Sequence, residues 1–169
     1  RVFDYGIVIC PSPSVVSYDW LPVKYIHKTY DEQKIKNLLE LQKKNLMKKA
    51  FLVLDDCIGS IDFSNKFWSS FLATARHYRI SLFFGIQVLQ KIPTLFREQT
   101  DYAFIFQFRT QLSRKKTYEV FGENEFESEK EWSAQLKSLK LHQCIFCDNV
   151  KSEYKKYMCP NVGIERIRF

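Results

Sequence analysis

Glycine is scarce in this sequence, and the scarcity excludes one kind of chemistry at the outset. Gly6, Gly59, Gly85, Gly122 and Gly163 are scattered singly through 169 residues. No G-x-x-x-x-G-K-[ST] run occurs, so no glycine-rich loop within these residues can wrap backbone N–H groups around a phosphate chain. Long apolar runs are also lacking. None approaches the ~20 residues that span a bilayer, and the opening Arg-Val-Phe-Asp forms no signal-peptide core, so a soluble intracellular protein is expected. Five cysteines, an odd number, argue against a disulfide framework and for a reducing compartment. No internal repeat is present.

Against these absences stands ample material for a core. Hydrophobic residues make up 46% and aromatics 16%, enough for one folded domain over residues 1–169. The formal charge is +7, with basic clusters at Lys43, Lys44, Lys48 and Lys49, at Arg114, Lys115 and Lys116, and at Lys151, Lys155 and Lys156. Such a surplus favours a polyanionic partner, nucleic acid being the commonest, although any one cluster can equally be a solvated face.

The pattern alternates between strand and helix. Tyr5 to Cys10 is a β-branched apolar run that stops at Pro11-Ser12-Pro13, as a strand buried on both faces does. Thr29-Tyr30-Asp31-Glu32 has capping-box form, and Ile35, Leu38, Leu39 and Gln42 follow at helical spacing as far as Lys43-Lys44. Ala50 to Leu54 predicts a second strand. Ser64 can cap a helix whose Phe67, Trp68, Phe71, Leu72 and Ala75 form one stripe ending near Arg76-His77-Tyr78. Ile80 to Ile86 and Tyr102 to Phe108 predict two further buried strands. Apolar strands separated by helices imply an α/β fold with a parallel sheet. The tail predicts a charged helix over residues 123–141 and a hairpin from Cys144 to Met158 around Asp148-Asn149.

The stretch FLVLDDCIGS carries the chemistry. In a parallel α/β sheet, functional groups collect where the strands end at their carboxyl termini. Asp55 and Asp56 stand at one such end and Gln87 at another. An apolar strand ending in two acidic residues is a Walker B arrangement: the first carboxylate holds Mg2+ through water, the second faces the attacking water, and a polar group on the neighbouring strand senses the γ-phosphate. A plain strand-end turn, with Gly59 following, is the structural alternative.

LVLDDCIG, ARHYRIS, FFGIQ and IPTLFREQTDYAFIFQF, in that order, resemble the consecutive motifs of the DNA-packaging ATPases of nucleocytoplasmic large DNA viruses of the poxvirus type. Related enzymes occur in virophages and Polinton-type elements, within the FtsK/HerA group of P-loop ATPases. FDYGIVICPS and YIHKTYDEQKIKNLLELQKK fit the strand and helix that precede Walker B there. The resemblance covers residues 3–122 and fades through 123–169. It implies a RecA-like additional-strand core over 1–122 that lacks its P-loop strand, followed by a helical segment and a C-terminal hairpin.

Carried over by position, the resemblance implies that Asp55 organises Mg2+ and Asp56, where many relatives have Glu, polarises water. Gln87 matches the glutamine of the sensor strand. Arg97 matches the arginine of a P-x-x-x-R-x-N-x-D pattern in which Pro93 and Asp101 are kept and Gln99 replaces Asn. Arg76 belongs to an Arg-His pair preceded by Ala75 where Gly is usual. Arg97 is the first candidate, and Arg76 the second, for a finger reaching a neighbouring subunit's ATP. The implied partners are double-stranded DNA, further copies in a homo-oligomeric ring, and capsid or portal-vertex proteins. The implied setting is the host cytoplasm or viral factory, or the virion. Two accounts of the missing Walker A remain open: a partial sequence of a longer ATPase, or a degenerate ATPase fold serving as a DNA-binding or scaffold module. One rival site also stands, since His142, Cys144, Cys147 and Cys159 are compatible with tetrahedral zinc, whereas residues three apart on a strand face opposite ways.

Overall fold

The computed structural model describes residues 2–87, 89, 96, 98–123 and 125–158. These fall into two compact units, one over residues 2–87 and the other over residues 89, 96, 98–123 and 125–158.

The first unit is built on a parallel sheet. Strands β1 (Tyr5–Ile9), β2 (Ile26–His27), β3 (Ala50–Asp55) and β4 (Ile80–Gly85) lie in the order β2-β1-β3-β4, every pair parallel. The unbroken apolar runs of β1 and β3 take the centre, because a strand covered on both faces has no solvent face to mark with polar residues. Val8, Ile9, Leu52 and Leu54 are wholly buried. β4 forms one edge, and no described strand pairs with its outer side. In register, Asp55 lies opposite Gly85. Val8, Cys10 and Phe51 pack with Phe3, Val15, Tyr18, Leu21 and Val53 into one core cluster.

Two helices follow the predicted stripes. Helix α1 (Glu32–Lys43) buries Ile35, Leu38 and Gln42. Its cap is Asp31 rather than Thr29. The Asp31 carboxylate accepts from the Gln33 N–H at 2.9 Å, and an ionised acceptor at the positive end of the helix dipole outcompetes a hydroxyl two residues earlier. The buried Gln42 accepts from the Tyr5 hydroxyl at 2.5 Å and donates to the Lys48 carbonyl at 2.6 Å. Helix α2 (Lys66–Thr74) is capped by Asn65, not Ser64, whose own N–H and hydroxyl are engaged by Asp62. Trp68 and Phe71 are buried along α2.

The second unit is antiparallel. Strands β5 (Tyr102–Ile105), β6 (Gln143–Asp148) and β7 (Glu153–Met158) form a sheet of that order. The hairpin matches the sequence expectation. β5, expected as a fourth parallel strand, instead pairs antiparallel with β6. An all-apolar run conceals its two faces: Ile105 is buried while Tyr102 and Phe104 are more than half exposed. Helix α3 (Gln111–Thr117), continued by a π turn over Tyr118–Gly122, has no apolar stripe and was not expected. Thr110 caps it, and the buried Arg114 guanidinium donates to the carbonyls of Phe108 and Arg109 at 2.8 Å. Arg114 is therefore a structural cation and not part of a basic surface. The charged helix α4 is confined to Glu129–Lys137. Its Trp132 anchors the core with Ile105, Leu136, Leu139, Ile145 and Cys147, and donates from Nε1 to the Thr117 hydroxyl at 2.9 Å.

Candidate functional site at the carboxyl end of the parallel sheet

Asp55 is the last residue of β3 and is half-buried. Its carboxylate is held from one side and closely approached on the other. From the β1 side, Tyr18 donates its hydroxyl to Oδ2 at 3.1 Å, Ser14 its hydroxyl at 3.3 Å and Cys10 its thiol at 3.5 Å. These donors come from the end of β1 and from the 3-10 segment Pro13–Tyr18 that follows it. Ser12 opens that segment and shares a hydrogen bond with the Ser14 hydroxyl. From the β4 side, Oδ1 lies over Gly85, where a methyl group would stand only 2.1 Å away. A side chain at position 85 would therefore force the Asp55 carboxylate or β4 to shift, whereas the backbone dihedral angles of Gly85 need no glycine.

Asp56 departs from the strand sharply. Its φ of 58° is left-handed, a conformation that Asp tolerates better than most residues but still at a cost, and its N–H donates to the Gly85 carbonyl at 3.3 Å. The turn leaves the Asp56 side chain exposed at the sheet's end. Below it, the buried Cys57 thiol donates to the carbonyls of Ile9 and Asp55 at 3.1 and 3.2 Å. Burial, with Cys10 and Asp55 close by, pushes that thiol from 9.0 up to about 12, so it stays protonated and inert at neutral pH. Burial first, and then the Asp55 carboxylate, push the Tyr18 phenol well above its ordinary value, so at neutral pH it keeps the proton that it donates to Asp55.

Gln87 is exposed in a bend two residues beyond Gly85, the last residue of the strand that pairs with β3. The end of β3 and the end of β4 therefore bring Asp55, Asp56 and Gln87 to one edge of the unit. Arg76 is exposed two residues past the last residue of α2. Arg97 and Pro93 lie outside the described residues, as does Cys159. Of the zinc alternative, Cys144 and Cys147 are both buried but sit on opposite faces of β6, and His142 precedes the strand in a left-handed turn. No group of three His, Cys, Asp or Glu among the described residues can hold a metal. Asp55 suits a hard cation held through water, since it offers carboxylate oxygen and its hydrogen-bond partners are all donors.

Sequence reasoning missed Ser14, Tyr18 and Gly85. A signal was present: a hydroxyl-rich stretch, Pro-Ser-Pro-Ser-Val-Val-Ser-Tyr, directly follows a buried strand on the sheet's functional end.

The parallel four-stranded sheet is the part of the fold that solved packaging NTPases share. The solved genome-packaging NTPase B204 of Sulfolobus turreted icosahedral virus 2, in complex with AMPPCP, superposes with a TM-score of 0.65 at 14% identity, over 92% of this chain and 82% of that one. The chain belongs to the family described as poxvirus A32 protein, which matches residues 9–121. Among curated relatives, an uncharacterized protein, L437, of Acanthamoeba polyphaga mimivirus is 28% identical over 89% of this chain. An uncharacterized protein, 075L, of Invertebrate iridescent virus 6 is 31% identical over 59% of it. The chain spans 59% and 41% of the lengths of these two relatives. No helix among the described residues is long and apolar enough to cross a membrane.

Proposed function

We propose that these residues form the Walker B and sensor portion of an ATP-hydrolysing motor that packages double-stranded DNA into a viral or virus-like capsid. The observation that carries this reading is the placement of Asp55 and Asp56 at the end of β3 and of Gln87 two residues past the end of the neighbouring β4, in a chain of the poxvirus A32 family. In this reading Asp55 would hold Mg2+ through water, and the ion when bound neutralises charge on the nucleotide phosphates. Asp56 orients and polarises the attacking water. Gln87 senses the γ-phosphate. A Walker A strand from residues outside these 169 pairs with the open edge of β4. Copies assemble as a homo-oligomeric ring in which Arg97 or Arg76 enters the neighbouring nucleotide site, on or near a capsid or portal vertex, in host cytoplasm, viral factory or virion.

The absence of a G-x-x-x-x-G-K-[ST] run supports a second reading, a non-catalytic DNA-binding or scaffold module. One experiment separates them. Protein made from the complete reading frame hydrolyses ATP in the presence of Mg2+ if it is a motor, and Asp56→Asn then keeps nucleotide binding while turnover falls by two or more orders of magnitude, on the order of a lost catalytic base. No nucleotide binding by the complete protein establishes the scaffold reading, and turnover unchanged in Asp56→Asn removes that residue from the mechanism.

A further inference from the structure

We propose that Tyr18, assisted by Ser14, is a positioning residue that fixes the Asp55 carboxylate by holding Oδ2, so that Oδ1, over Gly85, is the oxygen left for a cation. The inference rests on the ATPase reading and adds to it the residues that aim the cation-binding carboxylate.

All the side-chain donors to Asp55 come from one direction. Tyr18, Ser14 and Cys10 converge on Oδ2, and all three belong to the end of β1 or the segment after it. Oδ1 is the oxygen that a methyl at position 85 would strike, so it lies over the backbone of β4. The carboxylate is thus held at Oδ2, while Oδ1 approaches β4 at a residue without a side chain. A carboxylate free to rotate would present either oxygen. Here the donors take Oδ2, which leaves Oδ1 to meet a hydrated cation. Tyr18 is suited to the task because its ring is anchored in the cluster of Val8, Cys10 and Phe51, so the hydroxyl arrives from a packed support. Ser14 stands on the same 3-10 segment and donates to the same oxygen. Partners of metal-binding carboxylates behave in this way generally, and their loss costs ~10- to 100-fold in metal affinity or activity.

The test uses protein from the complete reading frame, with Mn2+ as the probe in the presence of a non-hydrolysable ATP analogue. Free Mn2+ is read by its electron paramagnetic resonance signal, and analogue affinity is measured separately without metal. Tyr18→Phe keeps the ring and removes only the hydroxyl. It should weaken Mn2+ binding in the ternary complex about ten-fold, with metal-free analogue affinity little changed and the Mn2+-free thermal midpoint lowered only by the loss of one hydrogen bond. Ser14→Ala, at an exposed position, should weaken Mn2+ in the same way by a smaller factor, and it decides the matter if Tyr18→Phe fails to fold. A wild-type protein that binds Mn2+ with the analogue, and variants that bind it equally well, would overturn the positioning role while leaving the ATPase reading intact. A wild-type protein that binds neither analogue nor Mn2+ would overturn both.

Discussion

Replacing Gly85 with alanine tests the geometry of the site without touching either carboxylate. The new methyl would stand 2.1 Å from Asp55 Oδ1 and 3.1 Å from its Cγ. The first distance is more than about 1 Å inside ordinary van der Waals contact. Either β4 shifts or the carboxylate turns away. Turning weakens the Tyr18 and Ser14 hydrogen bonds to an ionised oxygen, each worth ~1.5 to 3 kcal/mol when buried and less for the exposed Ser14. A strand shift of the overpacking kind costs ~1 to 3 kcal/mol. Alanine offsets ~0.5 to 1 kcal/mol by restricting the unfolded chain. The expected net loss is ~1 to 2 kcal/mol, or a fall of ~2 to 8 °C in Tm for a chain of this size. Urea and thermal unfolding of wild type, Gly85→Ala, Asp55→Ala and the double variant form a cycle. In the double variant the methyl meets no carboxylate, so its destabilisation should be smaller than the sum of the singles by about 1 kcal/mol. Strict additivity, or a Gly85→Ala protein as stable as wild type, would refute the close approach of Oδ1.

Trp132→Phe should cost ~2 to 3 kcal/mol in urea unfolding, because it leaves a void at a wholly buried site and takes away the indole donor to the Thr117 hydroxyl; a loss under about 0.5 kcal/mol contradicts this. Burial, then Cys144 and Glu125, push the Cys147 thiol from 9.0 up to about 12. Since the folded value is the higher one, its contribution is whole below the ordinary value and is lost as pH rises from ~9 toward ~12. Stability should therefore fall more steeply with alkaline pH in wild type than in Cys147→Ala, and equal slopes would count against it. The outer side of β4 has no strand partner among the described residues, and Phe83 of the same strand is 48% exposed, so the 169 residues expressed alone should self-associate and show weak amide protection in β4. A monomer with β4 as protected as β3 would exclude that. DNA binding by the complete protein should be indifferent to sequence and fall steeply with added salt, and affinity unchanged between 50 and 200 mM salt, concentrations over which a phosphate-binding protein loses ~10³-fold or more, would exclude phosphate contacts.

Several elements were legible in residues alone. β1 and β3 announce themselves as unbroken apolar runs, and α1 and α2 as stripes at helical spacing, because burial on both faces or on one face leaves those periodicities in any sequence; β4 was legible as a strand, but its expected burial was not met, since only Ile80 is buried and Ser81 and Phe83 are exposed at the edge of the sheet. The paired carboxylates of Asp55 and Asp56 were legible too, since charges at the end of such a strand need a reason. The capping residues were legible only in kind: Thr29 and Ser64 were plausible, but Asp31 and Asn65 won because geometry places a better acceptor at the helix start. Tertiary structure alone decided that β5 pairs antiparallel with β6, since strand partners are chosen by long-range pairing and not by local pattern. It alone turned Arg114 inward to bind carbonyls, making a core residue of what composition counts as surface charge. And it alone chose between the two oxygens of Asp55. Tyr18 lies 37 residues from Asp55 in the chain and Gly85 lies 30 from it on the other side, and only the parallel register of β1, β3 and β4 brings a donor and a gap to opposite sides of one carboxylate.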